Sequence, residues 1–321
     1  MPLAPTSSEI AHAADLLRAG RLVAFPTETV YGLGANALDA DAVARIYAAK
    51  RRPATSPLIV HVASSEMAKS LLAASFPWPE TAELLTREFW PGPLTLVLPK
   101  SPSIPPIVTA GLSTVGLRMP CHPIALALIH AAGVPLAAPS ANRFTQLSPT
   151  TADHVRRSLD AAVDYVLDGG PCTVGIESTV LSLAEARPVL LRPGGISRAQ
   201  IESLIGPLDS AHAPEAGAHP APGMHPRHYS PRTPLYLVPD GKLPQSGHGI
   251  YLQHARAPQG NNAEIRQMPL SATDYAAQLY RALHEADTAK ANWIAVDLPP
   301  NRGEWEAVHD RLHRAAFRED S

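Results

Sequence analysis

The densest chemistry in the chain lies in AAKRRPATSPLIVH, residues 48–61. Lys50 and Arg52 alternate outward if the chain leaves a helix extended, as Pro53 encourages in the residue before it. Two cations converging beside a strand suit a polyphosphate. For a lone charge run the usual reading is instead that the charges complement a helix C-terminal dipole on a solvated face. His61 interrupts an apolar run, and Arg118 interrupts VGLRMP in the same way. A buried arginine must be paired, and the sequence offers Arg118 few structural partners nearby, which makes a bound carboxylate a candidate. PTETVYGLG carries Thr27, Thr29 and Tyr31 at a spacing of two. They read either as one wall of a small polar site or as turn hydroxyls capping their own backbone. APSANRFTQLSPTT supplies Ser140, Asn142, Ser148 and Thr150, donors able to hold an anion at a helix entrance. Alone, Ser148 and Thr150 read as helix caps. GIESTV and LLRPGG add Ser178 and Arg192. Each group is ambiguous by itself; their recurrence at strand ends, where open α/β sheets build their sites, favours a site.

The elements that must position these groups alternate through the first two hundred residues. Short apolar runs predict strands at 22–25, 58–62, 94–98, 115–119, 165–168, 179–183 and 189–192. SEIAHAADLLRAG and DADAVARIYAAK read as amphipathic helices, the first ending at Gly20 and the second stopped by Pro53. SPTTADHVRRSL opens like a helix capped by Thr150 with Asp153. From about Gly206 to Pro234 prolines punctuate a stretch without periodicity. Strands at 235–238, 249–253 and 293–298 follow, with helices at 271–287 and 303–317, the first carrying a Ser271–Asp274 capping box. This order predicts an open twisted mixed α/β sheet over residues 1–205, a Pro-rich linker or lid over 206–233, and a small Rossmann-like α/β domain over 234–321. No internal repeat is present.

A chain of 321 residues with 45% hydrophobic content has enough apolar mass for two cores. Net charge is −2 with a pI near 6.7, so any nucleic-acid contact is local or indirect. Two cysteines, Cys121 and Cys172, are too few for a disulfide framework or a Cys-based zinc site and read as small buried hydrophobes. No segment reads as a membrane span, and the start shows neither a basic stretch nor an apolar core, as expected of a cytoplasmic protein. GLGANA matches a dinucleotide fingerprint but is separated from its strand by six residues and lacks the ribose-binding acid, so its glycines are expected to serve a tight turn. GGPCTVG is followed by Ile176-Glu177 where a P-loop needs Lys-Ser/Thr. Neither GxSxG nor HExxH occurs.

Taken in order, PTETVYGLG, the KxR of AAKRRPATSPLIVH, PGPLTLVL, VGLRMP, APSAN, GIESTV and LRPGG resemble the Sua5/YrdC family, densely over residues 8–200. The Pro-rich stretch and small α/β unit resemble the longer type within that family. APGMHPRHYSP looks like its linker signature, with His225 and Pro226 departing from the Lys and aromatic of the pattern. The resemblance implies threonylcarbamoyl-AMP synthesis: L-threonine, bicarbonate or CO2 and ATP give threonylcarbamoyl-adenylate and pyrophosphate for the t6A modification of tRNA. It assigns Arg52 and Ser56 to ATP and places Lys50 near the carbamate and α-phosphate. It assigns Thr29, His61, Arg118 and Ser178 to threonine, with the backbone at Ala138, and Thr114, Ser140, Asn142, Ser148 and Arg192 to the nucleotide. His228 or Tyr229, with Arg227 beside them, would close over the nucleotide. Mg²⁺ is implied with ATP, without a dedicated metal cage. The implied partner is a downstream threonylcarbamoyl transferase complex, with tRNA contact indirect or weak.

Two other readings compete. The KRR cluster motivates an RNA-binding module, against which stand the mild charge and an aromatic fraction of only 5%. A carbamoyl-transfer relative would need zinc fingers that two cysteines cannot supply.

Overall fold

The computed structural model describes residues 5–211 and 228–316. The larger sheet takes its strands from Val23–Phe25 (β1), Gly32–Asn36 (β2), Ile59–His61 (β3), Leu94–Pro99 (β4), Thr114–Arg118 (β5), Leu136–Ala137 (β6), Tyr165–Val166 (β7), Thr179–Ser182 (β8), Val189–Arg192 (β9) and Asp209–Ser210 (β10). Their order is β10-β9-β8-β4-β5-β3-β6-β2-β1-β7, with parallel and antiparallel neighbours mixed throughout. The helices of this unit are Ser7–Arg18 (α1), Ala40–Lys50 (α2), Ser65–Ser70 (α3), Glu80–Phe89 (α4), Pro123–Ala132 (α5), Ala152–Leu159 (α6) and Arg198–Ile205 (α7).

Alternation along the strands splits the core into two layers. Val23 and Phe25 pack under α1 and α5, through Ala13, Ala14, Leu17, Leu128 and Ile129. Ala24, Leu33 and Ala35 face the other way, against Val43 and Ile46 of α2. A parallel four-stranded sheet follows, built from Leu235–Leu237 (β11), Gly249–Gln253 (β12), Ala263–Gln267 (β13) and Trp293–Val296 (β14), in the order β11-β14-β12-β13. Ala272–Thr288 (α8) and Glu306–Ala315 (α9) pack with Ile250, Leu252, Ile294 and Val296 of its strands. Ser271 caps α8 as expected, accepting from the Asp274 N–H.

Several local expectations are corrected. GLGANA is not a turn but strand β2, and Gly34 is required because a Cβ there would stand 2.7 Å from the Phe25 ring. The cap of α6 is Thr151, which accepts from the His154 N–H, while the Thr150 hydroxyl lies 3.4 Å from the His154 ring. α2 stops before Pro53, because Arg51 adopts a left-handed conformation with φ 52°. Cys172 is buried, but Cys121 is exposed. Strands β2, β10 and β13 have no counterpart among the strands expected from the sequence. Strand β10 falls inside the stretch expected to be linker, so the large sheet reaches past residue 205. Residues 212–227 of that stretch, with Arg227, lie outside the described residues.

The two units share one apolar cluster: Val30, Leu147 and Ile176 of the first pack with Tyr229 and with Tyr275, Leu279 and Tyr280 of α8. Gly175 (φ +75°) lies so close to α8 that a Cβ would meet the Ala277 Cα and oxygen at 2.5 Å. Beside this contact His154 of α6 stacks on His284 of α8, ring centroids 3.8 Å apart. Burial, and for His154 the neighbouring His284, pushes the two rings down to about 3 and about 4. Both folded values lie below the ordinary histidine value, so the unfolded chain binds more protons and acid removes stability. The melting temperature is therefore expected to fall as pH drops from about 7 to 4. His284→Phe should flatten that slope in a thermal melt, and an unchanged slope would contradict the assignment.

Candidate functional site

The central strands of the large sheet end around one cleft. Thr27 and Thr29 after β1, Ile59 and His61 of β3, Arg118 at the end of β5, Ala138 to Ser140 after β6, Glu177 and Ser178 before β8, and Arg192 at the end of β9 line it. Arg52 joins them from the turn after α2, and His228 and Tyr229 complete the wall from the segment leading into the smaller sheet.

The left-handed turn at Arg51 decides where the cations go. Arg51 points to solvent, while Lys50 and Arg52 both turn inward, at 1% and 7% exposure, rather than outward as the alternation had suggested. A solvated helix end is thereby excluded, and these two cations are withdrawn from the surface an RNA backbone would need. Arg52 Nη2 donates to the Ser56 hydroxyl and, at 3.1 Å, to the Pro57 carbonyl, and its guanidinium stands 5.8 Å from the Phe144 ring centroid. Burial lowers it only to about 10, so it stays charged at neutral pH. Lys50 Nζ donates to the carbonyls of Ser140 and Asn142, behind the cleft wall rather than on it. Burial, then the Arg52 charge, drives its ammonium well below the usual lysine range. Arg192 donates Nε and Nη2 to the Ser178 carbonyl at 3.2 and 2.9 Å, and Nη2 to the Ser178 hydroxyl at 3.2 Å.

At the other end of the cleft Arg118 is paired by the protein itself. Its Nη2 donates to Glu28 at 2.5 Å and its Nε to the Gly92 carbonyl at 3.3 Å. The expectation that a ligand carboxylate must be its partner is corrected: Glu28 supplies one counter-charge, and Glu28 also accepts from the Cys121 N–H. His61 beside it is pushed down to about 3 by burial and by the Arg118 charge, and is neutral. Its Nδ1 is buried with no partner among the described residues. The Thr29 hydroxyl is 2.8 Å from that of Thr27, which also donates to the Val30 carbonyl. Tyr31 leaves this wall, turning its hydroxyl to the Gly170 carbonyl at 2.8 Å. Of the two readings of PTETVYGLG, Thr27 thus does both jobs and Tyr31 belongs to the core.

His228 and Tyr229 are buried at 5% and 1% exposure, packed ring to ring at 4.0 Å, with Tyr229 in a left-handed conformation. Burial, then the charges of Arg52, Lys50 and Arg192, hold His228 far below its ordinary value, and its Nδ1 has no partner among the described residues. The segment is therefore a cleft wall and not a spacer at this point.

The remaining expected residues scatter around the cleft. Ser56 orients Arg52. Asn142 donates its amide to the Arg143 and Gln146 carbonyls, leaving Oδ1 buried without a partner among the described residues. Ser148 is not a cap; its hydroxyl donates to Glu177 at 2.6 Å. Thr114 lies in an adjoining cleft with Thr95, Thr109 and Gly116, which meets the first at Ile59. Glu28 and Glu177 are not signalled as site residues by the sequence, although each sits inside a quoted motif. Both acids are charged residues in apolar or hydroxyl-rich runs, which is the signal that could have marked them.

A cleft at the ends of α/β strands, walled by three buried arginines, two neutral histidines and hydroxyls, is that of an enzyme class that grips a polyphosphate and a small zwitterion without a P-loop. The chain belongs to the Sua5/YciO/YrdC family: that family's model, described as telomere recombination, matches residues 15–194, and a model described as threonylcarbamoyl-AMP synthase, C-terminal domain, matches residues 196–317. Threonylcarbamoyl-AMP synthase of Bacillus subtilis (strain 168) is 46% identical over 98% of this chain and 94% of its own. The protein of the same name from Pyrococcus abyssi (strain GE5 / Orsay) is 41% identical over 95% and 93%. The crystal structure of P. abyssi Sua5 complexed with L-threonine covers 98% of this chain and 96% of its own, with TM-score 0.89 and 39% identity.

Proposed function

We propose that this chain is an L-threonylcarbamoyladenylate synthase, joining L-threonine, bicarbonate or CO2 and ATP with release of pyrophosphate. One observation carries the reading: a single cleft is lined both by Arg118, His61, Thr29 and Ser178 and by Arg52, Arg192 and His228. Arg118, held from one side by Glu28, meets the threonine carboxylate with its remaining donors. Neutral His61 offers Nδ1 as an acceptor to the threonine nitrogen. The free amine adds CO2 and loses a proton to give a carbamate, whose oxygen attacks the α-phosphorus as pyrophosphate leaves. No residue of the chain serves as nucleophile; the work is alignment and charge stabilisation.

Arg52, fixed by Ser56, and Arg192 take the phosphates. Lys50 holds Ser140 and Asn142 in line with the nucleotide through their carbonyls and brings positive charge toward the carbamate and α-phosphate. The adjoining cleft at Thr114 receives the base. His228 and Tyr229 close the nucleotide side and exclude water. Mg²⁺ would enter as part of the ATP substrate. For this purpose the unit of the large sheet, through β10, is the catalytic unit and the unit of the four-stranded sheet is the second unit. The product passes, in the cytoplasm, to a transferase complex acting on tRNA. No helix among the described residues is long and apolar enough to cross a membrane.

Purified protein should release pyrophosphate from ATP only when threonine and bicarbonate are both present. Threonine-independent release, or none, would reject the reading.

A further inference from the structure

We infer that Arg311 of α9, in the smaller unit, is a positioning residue for the synthase site: by holding Glu177 against Tyr280 and Ser148, it keeps that carboxylate from competing with ATP for the cations of the cleft. The inference rests on the synthase reading and extends it to a residue more than a hundred positions away in the chain.

Glu177 stands in the cleft wall next to Ser178. Its Oε2 accepts from Arg311 Nε at 2.7 Å and from the Tyr280 hydroxyl at 3.1 Å, and its Oε1 accepts from the Ser148 hydroxyl at 2.6 Å. The Arg311 side chain is wholly buried. It also pairs with Asp310, donates to the Pro193 carbonyl at 3.1 Å and stands 5.1 Å from the Tyr229 ring centroid. Three groups of the smaller unit and its approach, Arg311, Tyr280 and Tyr229, thus converge on one wall of the cleft.

A buried carboxylate without a counter-charge either takes up a proton or captures the nearest cation. Here that cation is Arg192, whose charge already acts on Glu177 and whose guanidinium grips Ser178. An unneutralised Glu177 would pull Arg192 toward itself and add negative charge beside the triphosphate. The groups facing Glu177 are Arg311 from α9, itself paired with Asp310, Tyr280 from α8, Arg192 from β9, Ser148, and Tyr229. Burial pushes the Glu177 carboxyl up, but Arg311 first and then Arg192 and Ser148 outweigh it and hold it below the usual carboxylate range. Glu177 is therefore ionised and neutralised together in the intact protein.

Mg·ATP is titrated calorimetrically into wild type, Arg311→Met, Glu177→Gln and the double variant, with threonine-dependent pyrophosphate release followed in parallel. Arg311→Met should weaken ATP binding about 30-fold or more. Relative to wild type, its deficit should grow as pH rises, since Glu177 without Arg311 is pushed up by burial and so holds its proton to higher pH before turning negative. The double variant should bind ATP within about threefold of Glu177→Gln alone and lose the pH trend, because a neutral amide needs no counter-charge. Wild-type affinity in Arg311→Met, or a double variant carrying the sum of both losses, overturns the inference. If Arg311→Met cannot be purified, the double variant against Glu177→Gln decides: equal affinity supports it, and a further loss of about tenfold overturns it. Binding needs no turnover, so a wild type that releases no pyrophosphate rejects the synthase reading alone, while the affinities still decide the role of Arg311.

Discussion

Replacing Arg52 by alanine is expected to lower kcat/KM for ATP by about a hundred- to a thousandfold, the loss typical of removing one preorganised donor from a developing charge. The side chain is buried, charged at neutral pH and fixed by Ser56 and Pro57, so it costs no reorganisation when the phosphates arrive. Arg52→Lys should restore little, because an ammonium cannot reproduce the planar fork that reaches Ser56 and a phosphate together. Pyrophosphate release measured beside a melting curve separates the effect from unfolding. Full activity in Arg52→Ala would remove this residue from the site.

Arg118→Ala should act on the other substrate. Truncation removes the cation that meets the threonine carboxylate and leaves Glu28 buried and unpaired, pointing repulsion at the same place. The threonine KM should rise about 30-fold or more, while the ATP KM changes little. Isothermal titration of threonine into the variant checks this without turnover. An unchanged threonine affinity would show that the Arg118–Glu28 pair serves folding only.

The sequence carried most of the large sheet, because apolar runs such as LTLVL and VLLR become strands wherever both faces are covered. It did not carry β2, whose glycines disguise a strand packed on Phe25, nor β13, whose AEIRQ is a polar edge. In the site, cations and hydroxyls at strand ends were legible because each violates its local pattern. Their partners were not. Glu28 meets Arg118 across 90 positions and Glu177 meets Arg311 across 134, separations at which a single sequence offers no spacing rule. The direction of Lys50 and Arg52 turned on one left-handed residue, Arg51, for which arginine gives no signal.

The bare backbone at Gly175 has a consequence for building new proteins from this one. Position 175 is the mortise into which the Ala276–Ala277 stretch of α8 fits, and any side chain there would lift the helix off by its own thickness. A chimaera joining this catalytic unit to a second unit from a relative should work only when the grafted helix offers small residues at that meeting point. Conversely, Gly175→Val keeps every cleft side chain and breaks the fit, so it would reveal how much of the synthase activity the first unit supports by itself.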